Sequence, residues 1–246
     1  MDIILYNIVV GFCSLFLGYI FGSIPTGVII GKLFYHRDPR VEGSKNSGGT
    51  NVGRLYGKKA GVLVIVLDMI KCAIPMITVW AIISFSSLDE TLIANYGSGL
   101  WDNGILYIYL APVGVALGHC WPLFAGFIGG KAVATFCGFG ISSSWLLIIV
   151  GVTTFFGTLK LKKYVSLASI LTAIITTISA WVLCILKYMI PGFNFNIFMW
   201  GNGSFLQCGW EYALAMTLVS LMLIYRHKAN IIRLVHHEER KITWIK

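Results

Sequence analysis

The sequence predicts an all-α, polytopic membrane protein, and three observations carry that prediction. Hydrophobic residues make up 57% of the 246-residue chain against 12% charged, with a mean hydropathy of +0.80. A water-soluble core of this size uses far less apolar surface, so lipid is the solvent. Apolar runs such as Gly61 to Ser84 and Val165 to Lys187 are long enough to cross roughly 30 Å of hydrocarbon at about 1.5 Å per residue. The basic residues, finally, are gathered between those runs rather than spread along the chain. Residues 1–246 read as a single integral-membrane domain.

Taken in order, the elements start with the apolar run Ile3 to Phe21. No basic segment precedes it, and Gly-Ser-Ile-Pro follows it instead of a small-x-small cleavage site. A removable signal peptide is therefore not expected. The loop from Lys32 to Lys59 carries seven Lys or Arg, the link Leu159 to Lys163 carries three, and the tail from Arg226 carries six. The positive-inside rule puts all three in the cytoplasm. Phe85 to Gly104 and Pro191 to Gly209 carry none, and the first holds Asp89, Glu90 and Asp102; both are expected outside. Between them the chain must cross an odd number of times to reach Lys160. Three crossings satisfy this: Ile105 to Leu117 inward, Ala125 to Ile141 outward, and Ser142 to Thr158 returning. The expectation is about seven transmembrane helices, N-terminus outside and C-terminus cytoplasmic. Ala125 to Ile141 is short, glycine-rich and contains Lys131, so it reads equally as a re-entrant segment, which lowers the count to five or six. Either version marks a polar cavity, because irregular backbone at membrane depth needs protein or water around it.

Several function classes fall away at this stage. A net charge of +9 is compatible with nucleic acid, but the basic residues sit beside apolar spans and no nucleic-acid motif is present. Cys13, Cys72, Cys120, Cys137, Cys184 and Cys208 show no metal-type spacing and read as small apolar residues. His236 and His237 beside Glu238 and Glu239, in a tail that reads as exposed, make a poor metal site. These residues give no reason to expect a metal.

The chemistry lies in four polar stretches. Glu42-Gly-Ser-Lys-Asn-Ser-Gly-Gly-Thr-Asn-Val-Gly-Arg54 is rich in donors: Gly48 and Gly49 let backbone N–H groups approach a ligand, Ser44, Asn46, Thr50 and Asn51 offer side chains, and Arg54 can fork onto two phosphate oxygens. A solvated turn is the plainer reading. In Gly118-His-Cys-Trp-Pro-Leu-Phe-Ala-Gly-Phe-Ile-Gly-Gly-Lys-Ala-Val-Ala-Thr135, Gly129, Gly130 and Lys131 bring N–H groups, a helix dipole and an ammonium to one point, which suits an anion. The spacing is not that of a Walker A loop. Close helix packing is the alternative for those glycines. Lysine within the membrane costs about 2.5–3.5 kcal/mol unless it meets an anion, and Lys71, three residues after Asp68, is explained first by an internal ion pair. Ser166 in Lys163-Tyr-Val-Ser-Leu-Ala-Ser169 reads as a helix cap or a ligand. His227, Asn230 and Arg233 or Arg226 recur at helical spacing and form a polar stripe facing either the other loops or lipid headgroups. His119, at a membrane boundary, reads as a ligand, a proton acceptor or a structural histidine.

In this order the motifs resemble the acyl-phosphate:glycerol-3-phosphate acyltransferase family of bacterial phospholipid synthesis. The match runs from about Gly22 to Glu239 and rests on Gly22-Ser-Ile-Pro25, Gly43-Ser-x-Asn46 with Thr50-Asn51 and Arg54, Asp68-x-x-Lys71, and Gly118-His119-x-x-Pro122-x-Phe124-x-x-Phe127-x-Gly-Gly-Lys131 with Ala134-Thr135. Tyr164-x-Ser166-x-x-Ser169 and His227-x-x-Asn230-Ile231-x-Arg233-Leu234 complete it. The chain departs from the family at Lys45, Ala132, Cys72 and His237, where the family usually has glycine.

The resemblance implies acyl transfer from a fatty acyl-phosphate to the 1-hydroxyl of sn-glycerol 3-phosphate, at the cytoplasmic side of a bacterial plasma membrane, giving 1-acyl-glycerol 3-phosphate and phosphate. His119, Arg54, Ser44 and His227 are the expected catalytic residues. Asn46, Thr50, Asn51, Lys71, Gly129, Gly130, Lys131, Thr135, Ser166, Ser169, Asn230 and Arg233 are the expected substrate contacts. The resemblance implies glycerol 3-phosphate, acyl-phosphate and membrane lipid as partners, and neither a metal nor an organic cofactor. A His-x-x-x-x-Asp acyltransferase dyad is excluded, since Phe124 and Ile232 stand five residues after His119 and His227. No Gly-x-Ser-x-Gly elbow occurs. A transporter for a phosphorylated anion is the main rival from another class, and the absence of related halves counts against it.

Overall fold

The computed structural model describes residues 3–86, 105–190 and 209–242. Cys208 and nearly all of the two segments expected outside, Phe85 to Gly104 and Pro191 to Gly209, lie outside the described residues. The chain divides into two compact units, Met1–Ser142 and Ser143–Lys246.

The first unit contains α1 (Ile3–Gly22), α2 (Thr26–Tyr35), α3 (Gly49–Tyr56), α4 (Lys58–Phe85), α5 (Ile105–Cys120) and, at its end, α6 (Val133–Ser143). α1 stops where Ile24 precedes Pro25, because a residue before proline is pushed out of the helical region; Pro25 then caps α2. α1 and α5 meet backbone to backbone. A Cβ added at Gly18 or Gly22 would lie 2.0 or 2.2 Å from the carbonyl oxygens of Ala111 and Val115, and one at Gly114 or Gly118 would lie 2.1 or 2.2 Å from those of Leu15 and Tyr19. Glycines spaced by four on both helices thus interlock, the small-residue joint that membrane helices use where no hydrophobic drive brings them together. α3 packs on α4 the same way: Cβ atoms at Gly49 and Gly61 would close to 2.7 Å from the carbonyl oxygen of Gly61 and 2.8 Å from that of Gly49.

The second unit contains α7 (Trp145–Lys162), α8 (Val165–Met189), α9 (Trp210–Arg226) and α10 (Lys228–Val235). Ser144 caps α7 by accepting from the Leu147 N–H, and Lys163 ends it in the left-handed region, φ 62°. α8 and α9 are joined by polar side chains: the Thr177 and Ser220 hydroxyls lie 2.6 Å apart and the Trp181 indole donates to Thr217 Oγ1 at 2.9 Å. Such bonds have no water to compete with them inside a bilayer.

Among the described residues, five stretches are long and apolar enough to cross a membrane: Ile8–Tyr35, Lys58–Ile83, Tyr107–Ala125, Trp145–Lys162 and Val165–Met189. Only 11% of the α7 window is buried inside the protein, which is what an apolar helix facing lipid requires. The stretch expected to run from Ala125 to Ile141 differs from a plain crossing. It opens with a 3₁₀ turn at Leu123–Ala125 and becomes helical only at Val133. The 11 residues of α6 reach roughly 16 Å, about half the hydrocarbon thickness.

Candidate active site

In the first unit, Asn51 is fully buried at the start of α3 and organises the preceding loop. Its Oδ1 accepts from the Ser44 N–H (2.8 Å) and Ser44 Oγ (3.0 Å), while Nδ2 donates to the carbonyl oxygens of Pro39 (2.7 Å) and Asn46 (2.9 Å). Asn46 Oδ1 in turn takes the Gly48 N–H at 3.0 Å, and its Nδ2 reaches Ser44 Oγ at 3.1 Å. The loop read as donor-rich is therefore a knot tied by its own amides. Ser44, Thr50 and Arg54 stand on its exposed side. Gly49 serves the α3–α4 contact rather than a ligand.

The second loop is shaped by His119. The Gly130 N–H donates to the His119 carbonyl at 2.9 Å, and a Cβ on Gly130 would fall 2.1 Å from His119 Nε2. Both glycines before Lys131 thus allow the loop to close on this histidine, and one of the N–H groups expected to bind phosphate is already used. Lys131 is half-buried, two residues before α6 begins. Thr135 is buried and donates to the Ala132 carbonyl at 3.1 Å.

Behind His119 lies a buried polar cluster. Asp68 Oδ1 accepts from Lys71 Nζ at 2.8 Å and Thr26 Oγ1 at 2.5 Å, and Lys71 also donates to the Ile24 carbonyl at 2.9 Å. The internal ion pair expected for Lys71 is present. His119 Nδ1 stands 3.6 Å from the same carboxylate oxygen, beyond hydrogen-bond distance. Asp68 Oδ2 and Ser23 Oγ are buried with no hydrogen-bond partner among the described residues.

Asp38 and Arg40, which sequence reasoning passed over, join the two loops. Arg40 Nε and Nη2 grip the Asp38 carboxylate at 3.0 and 2.7 Å, and Nη1 donates to the Ala125 carbonyl at 2.6 Å. The Arg40 guanidinium holds the Asp38 carboxyl below its ordinary range against the opposing effect of burial.

In the second unit the expected polar stripe converges on Glu239. Its Oε1 accepts from Ser166 Oγ at 2.9 Å and Asn230 Nδ2 at 2.8 Å, and Oε2 accepts from Arg233 Nε at 2.8 Å. The Glu239 side chain is only 7% exposed. His236, His237 and Glu238 are exposed, as expected of the tail, while Glu239 turns inward and the chain beyond it folds back: the Ile242 N–H donates to the Lys163 carbonyl at 2.8 Å, and Ile242 packs with Leu159 and Ala168. Burial opposes ionisation of Glu239, but the donors from Asn230, Arg233 and Ser166 outweigh it and hold the carboxyl below its ordinary value. Ser166 does not cap α8, since Tyr164 occupies that position. Ser169 is buried and donates to the Val165 carbonyl at 2.9 Å. His227 is buried with Nδ1 2.8 Å from the Leu223 carbonyl, which fixes the proton on that nitrogen. The sequence held one clue to Glu239: acidic residues number only 10 in the chain, and an acid six residues after Arg233 is within reach of it. Among the described residues no three His, Cys, Asp or Glu side chains gather as a metal-ligand set.

This architecture has counterparts. A glycerol-3-phosphate acyltransferase family model matches residues 12–237, which takes in the first donor cluster and Ser166, Asn230 and Arg233 of the second. The chain belongs to that family. A glycerol-3-phosphate acyltransferase of Staphylococcus carnosus is 36% identical over 231 residues, covering 94% of this chain and 97% of the relative, and that of Staphylococcus haemolyticus is 37% identical over the same span. Two crystal structures of PlsY (YgiH), an integral membrane glycerol 3-phosphate acyltransferase, also resemble it at 30% sequence identity. The glycerol 3-phosphate form gives a TM-score of 0.71 over 95% of this chain and 96% of the other; the lysophosphatidic acid form gives 0.69. Family membership therefore covers the fold, the multi-span character and the motifs together.

Proposed function

We propose that this protein transfers a fatty acyl group from acyl-phosphate to the 1-hydroxyl of glycerol 3-phosphate, releasing phosphate and lysophosphatidic acid. The observation that carries the reading is the family match through residues 12–237, joined to structural relatives in glycerol 3-phosphate and lysophosphatidic acid forms. The same continuity supports treating residues 1–246 as one acyltransferase domain. The charge distribution supports a cytoplasmic site in a bacterial plasma membrane; the 17-residue α9 adds a sixth span to the five longer stretches, and the seventh is the whole stretch from Ala125 to Ile141, of which α6 is the helical part.

Both substrates carry phosphate, so bringing them together requires fixed cations and donors. Ser44, Thr50, Arg54 and Lys131 are the direct contacts we assign in the first unit. Asn46, Asn51, Lys71, Gly129, Gly130 and Thr135 position them, because their polar groups or close contacts are committed to the scaffold. In the second unit His227 and Arg233 are assigned to substrate, Ser166 and Asn230 to holding Glu239 against Arg233, and Ser169 to the helix. In the reaction the substrate hydroxyl oxygen bonds to the acyl carbon, the carbon–oxygen bond to phosphate breaks, and phosphate leaves with the electron pair. The hydroxyl proton passes to the departing phosphate or to a histidine. Phosphate leaves readily from a mixed anhydride, so alignment and charge neutralisation supply most of the rate.

The test is transfer to radiolabelled glycerol 3-phosphate by purified protein in detergent, with palmitoyl-phosphate and palmitoyl-CoA offered in parallel. Lysophosphatidic acid from palmitoyl-phosphate alone is the expected result. Product from palmitoyl-CoA alone overturns the donor, and product from neither, with folded protein and lipid restored, overturns the reaction.

A further inference from the structure

Asp38-Pro39-Arg40 is three consecutive residues with three different tethers. Arg40 closes on the Asp38 carboxylate through Nε and Nη2, while its remaining Nη1 reaches the Ala125 carbonyl at 2.6 Å. Between them, the Pro39 carbonyl accepts from Asn51 Nδ2 at 2.7 Å. One end of this segment is therefore fastened to the amide that ties Ser44 and Asn46 in place. The other is fastened to the turn that leads, four residues later, into Gly129, Gly130 and Lys131. That turn is itself stiff: the Ala125 and Phe127 N–H groups both donate to the Pro122 carbonyl, at 3.2 and 2.9 Å.

We propose that Arg40, oriented by Asp38, is a positioning residue for acyl transfer: it is the strut that sets the spacing between the Ser44–Arg54 phosphate loop and the Gly129–Lys131 phosphate loop. The inference rests on the assignment of those two loops to the substrates' phosphates. A guanidinium suits the task because it is planar and forked; the edge formed by Nε and Nη2 locks on the carboxylate and Nη1 still has a donor aimed across the gap. Arg40 and Asp38 are mostly covered, with side chains 21% and 20% exposed, and the protein carbonyl at Ala125 takes up the donor that a surface arginine would give to water. Lysine can reach one of these partners but cannot hold both. The role is geometric: a displacement of about 1 Å between two bound substrates costs on the order of 100-fold in rate, whereas each loop continues to bind its own phosphate.

The test uses the full-length protein in detergent and four variants: Arg40→Gln, Arg40→Lys, Asp38→Asn and, as a control on the site itself, Lys131→Ala. kcat and the KM for glycerol 3-phosphate and for palmitoyl-phosphate are measured separately, and calorimetric titration with glycerol 3-phosphate counts folded binding sites. Arg40→Gln is expected to lose kcat on the order of 100-fold with both KM values within about threefold of wild type and full binding stoichiometry. Arg40→Lys and Asp38→Asn are expected to fall between, and Arg40→Lys decides the matter if Arg40→Gln does not fold. A stoichiometry that falls in step with kcat makes Arg40 a stability residue and overturns the proposal, as does wild-type turnover in Arg40→Lys and Asp38→Asn together. If Lys131→Ala is inactive while the Arg40 variants are normal, the strut is wrong and the site stands. If Lys131→Ala is also normal, the loop assignment is wrong and the strut goes with it.

Discussion

The two donor clusters of this protein are built around opposite kinds of hub. In the first unit the centre is a neutral amide, Asn51, which satisfies backbone groups and side chains of its own loop. In the second it is a carboxylate, Glu239, which collects one donor each from Ser166, Asn230 and Arg233. An amide hub has the same charge at every pH and holds a shape. A carboxylate hub holds charge as well as shape, and it does so only while ionised. The first cluster is centred on an uncharged group, whereas the second sets an internal acid against one of its cations, Arg233. The lesson is that a loop can be organised around a hub that carries no charge, and that a cation paired with an acid is tuned by its partner.

The strongest way to break the contrast is to remove a cation from the amide-centred side. Arg54→Ala is expected to lower transfer by at least a hundredfold, on the scale of removing a fixed charge from a developing phosphate anion, and a well-folded variant with near-normal turnover would take Arg54 out of the site. Next in size is the carboxylate hub. Glu239→Gln keeps the shape but weakens the charge-assisted bonds, at a cost of about 1.5–3 kcal/mol for a partner of this kind; thermal unfolding of detergent-purified protein reads it. The pH test sharpens the same point. Because the folded pKa of Glu239 lies below its ordinary value of 4.5, its stabilising contribution is present above that value and is lost as pH falls through the lower folded pKa. Wild type is expected to lose thermal stability on acidification below about 4.5 by a margin that Glu239→Gln does not share. Asn51→Asp is the mirror experiment: it imports charge into a hub built without it, places a carboxylate oxygen against the Pro39 and Asn46 carbonyls, and is expected to destabilise by about 1–3 kcal/mol.

The smallest effect comes from backbone conformation, and it shows how much of this protein was legible in its sequence. Lys45, Ala132 and His237 stand where the family usually has glycine, and all three adopt left-handed φ, at 52°, 59° and 59°. The departures were visible from residue types alone, but the reason for the glycine was not, since φ is a property of the folded chain. Returning each to glycine is expected to raise stability by up to about 1 kcal/mol, the relief of Cβ strain less the added unfolded-state freedom, as read by thermal unfolding. Helices α4 and α8 were readable because a long apolar run admits few alternatives in lipid; their observed bounds, Lys58–Phe85 and Val165–Met189, enclose the expected runs. The Asp68–Lys71 pair was readable because three residues is one helical turn. The roles of Arg40 and Glu239 were not, because the partners that define them, Ala125 and Ser166, lie 85 and 73 residues away, at separations that no helical period encodes. The interlocked glycines of α1 and α5 were available as two spacings of four, 18 with 22 and 114 with 118, yet glycine-rich membrane helices offer many such spacings, and only packing tells which of them meet.

That glycine joint has a mechanical consequence. With carbonyl oxygens seated where four Cβ atoms would be, α1 cannot slide along α5 by one or two residues without driving a side chain into backbone, so the permitted offsets are about one helical turn apart. A bilayer that thins or thickens by a few ångströms cannot be met by shear between these two helices. The pair has to lean as a single plank, and His119, which follows Gly118 directly, leans with it.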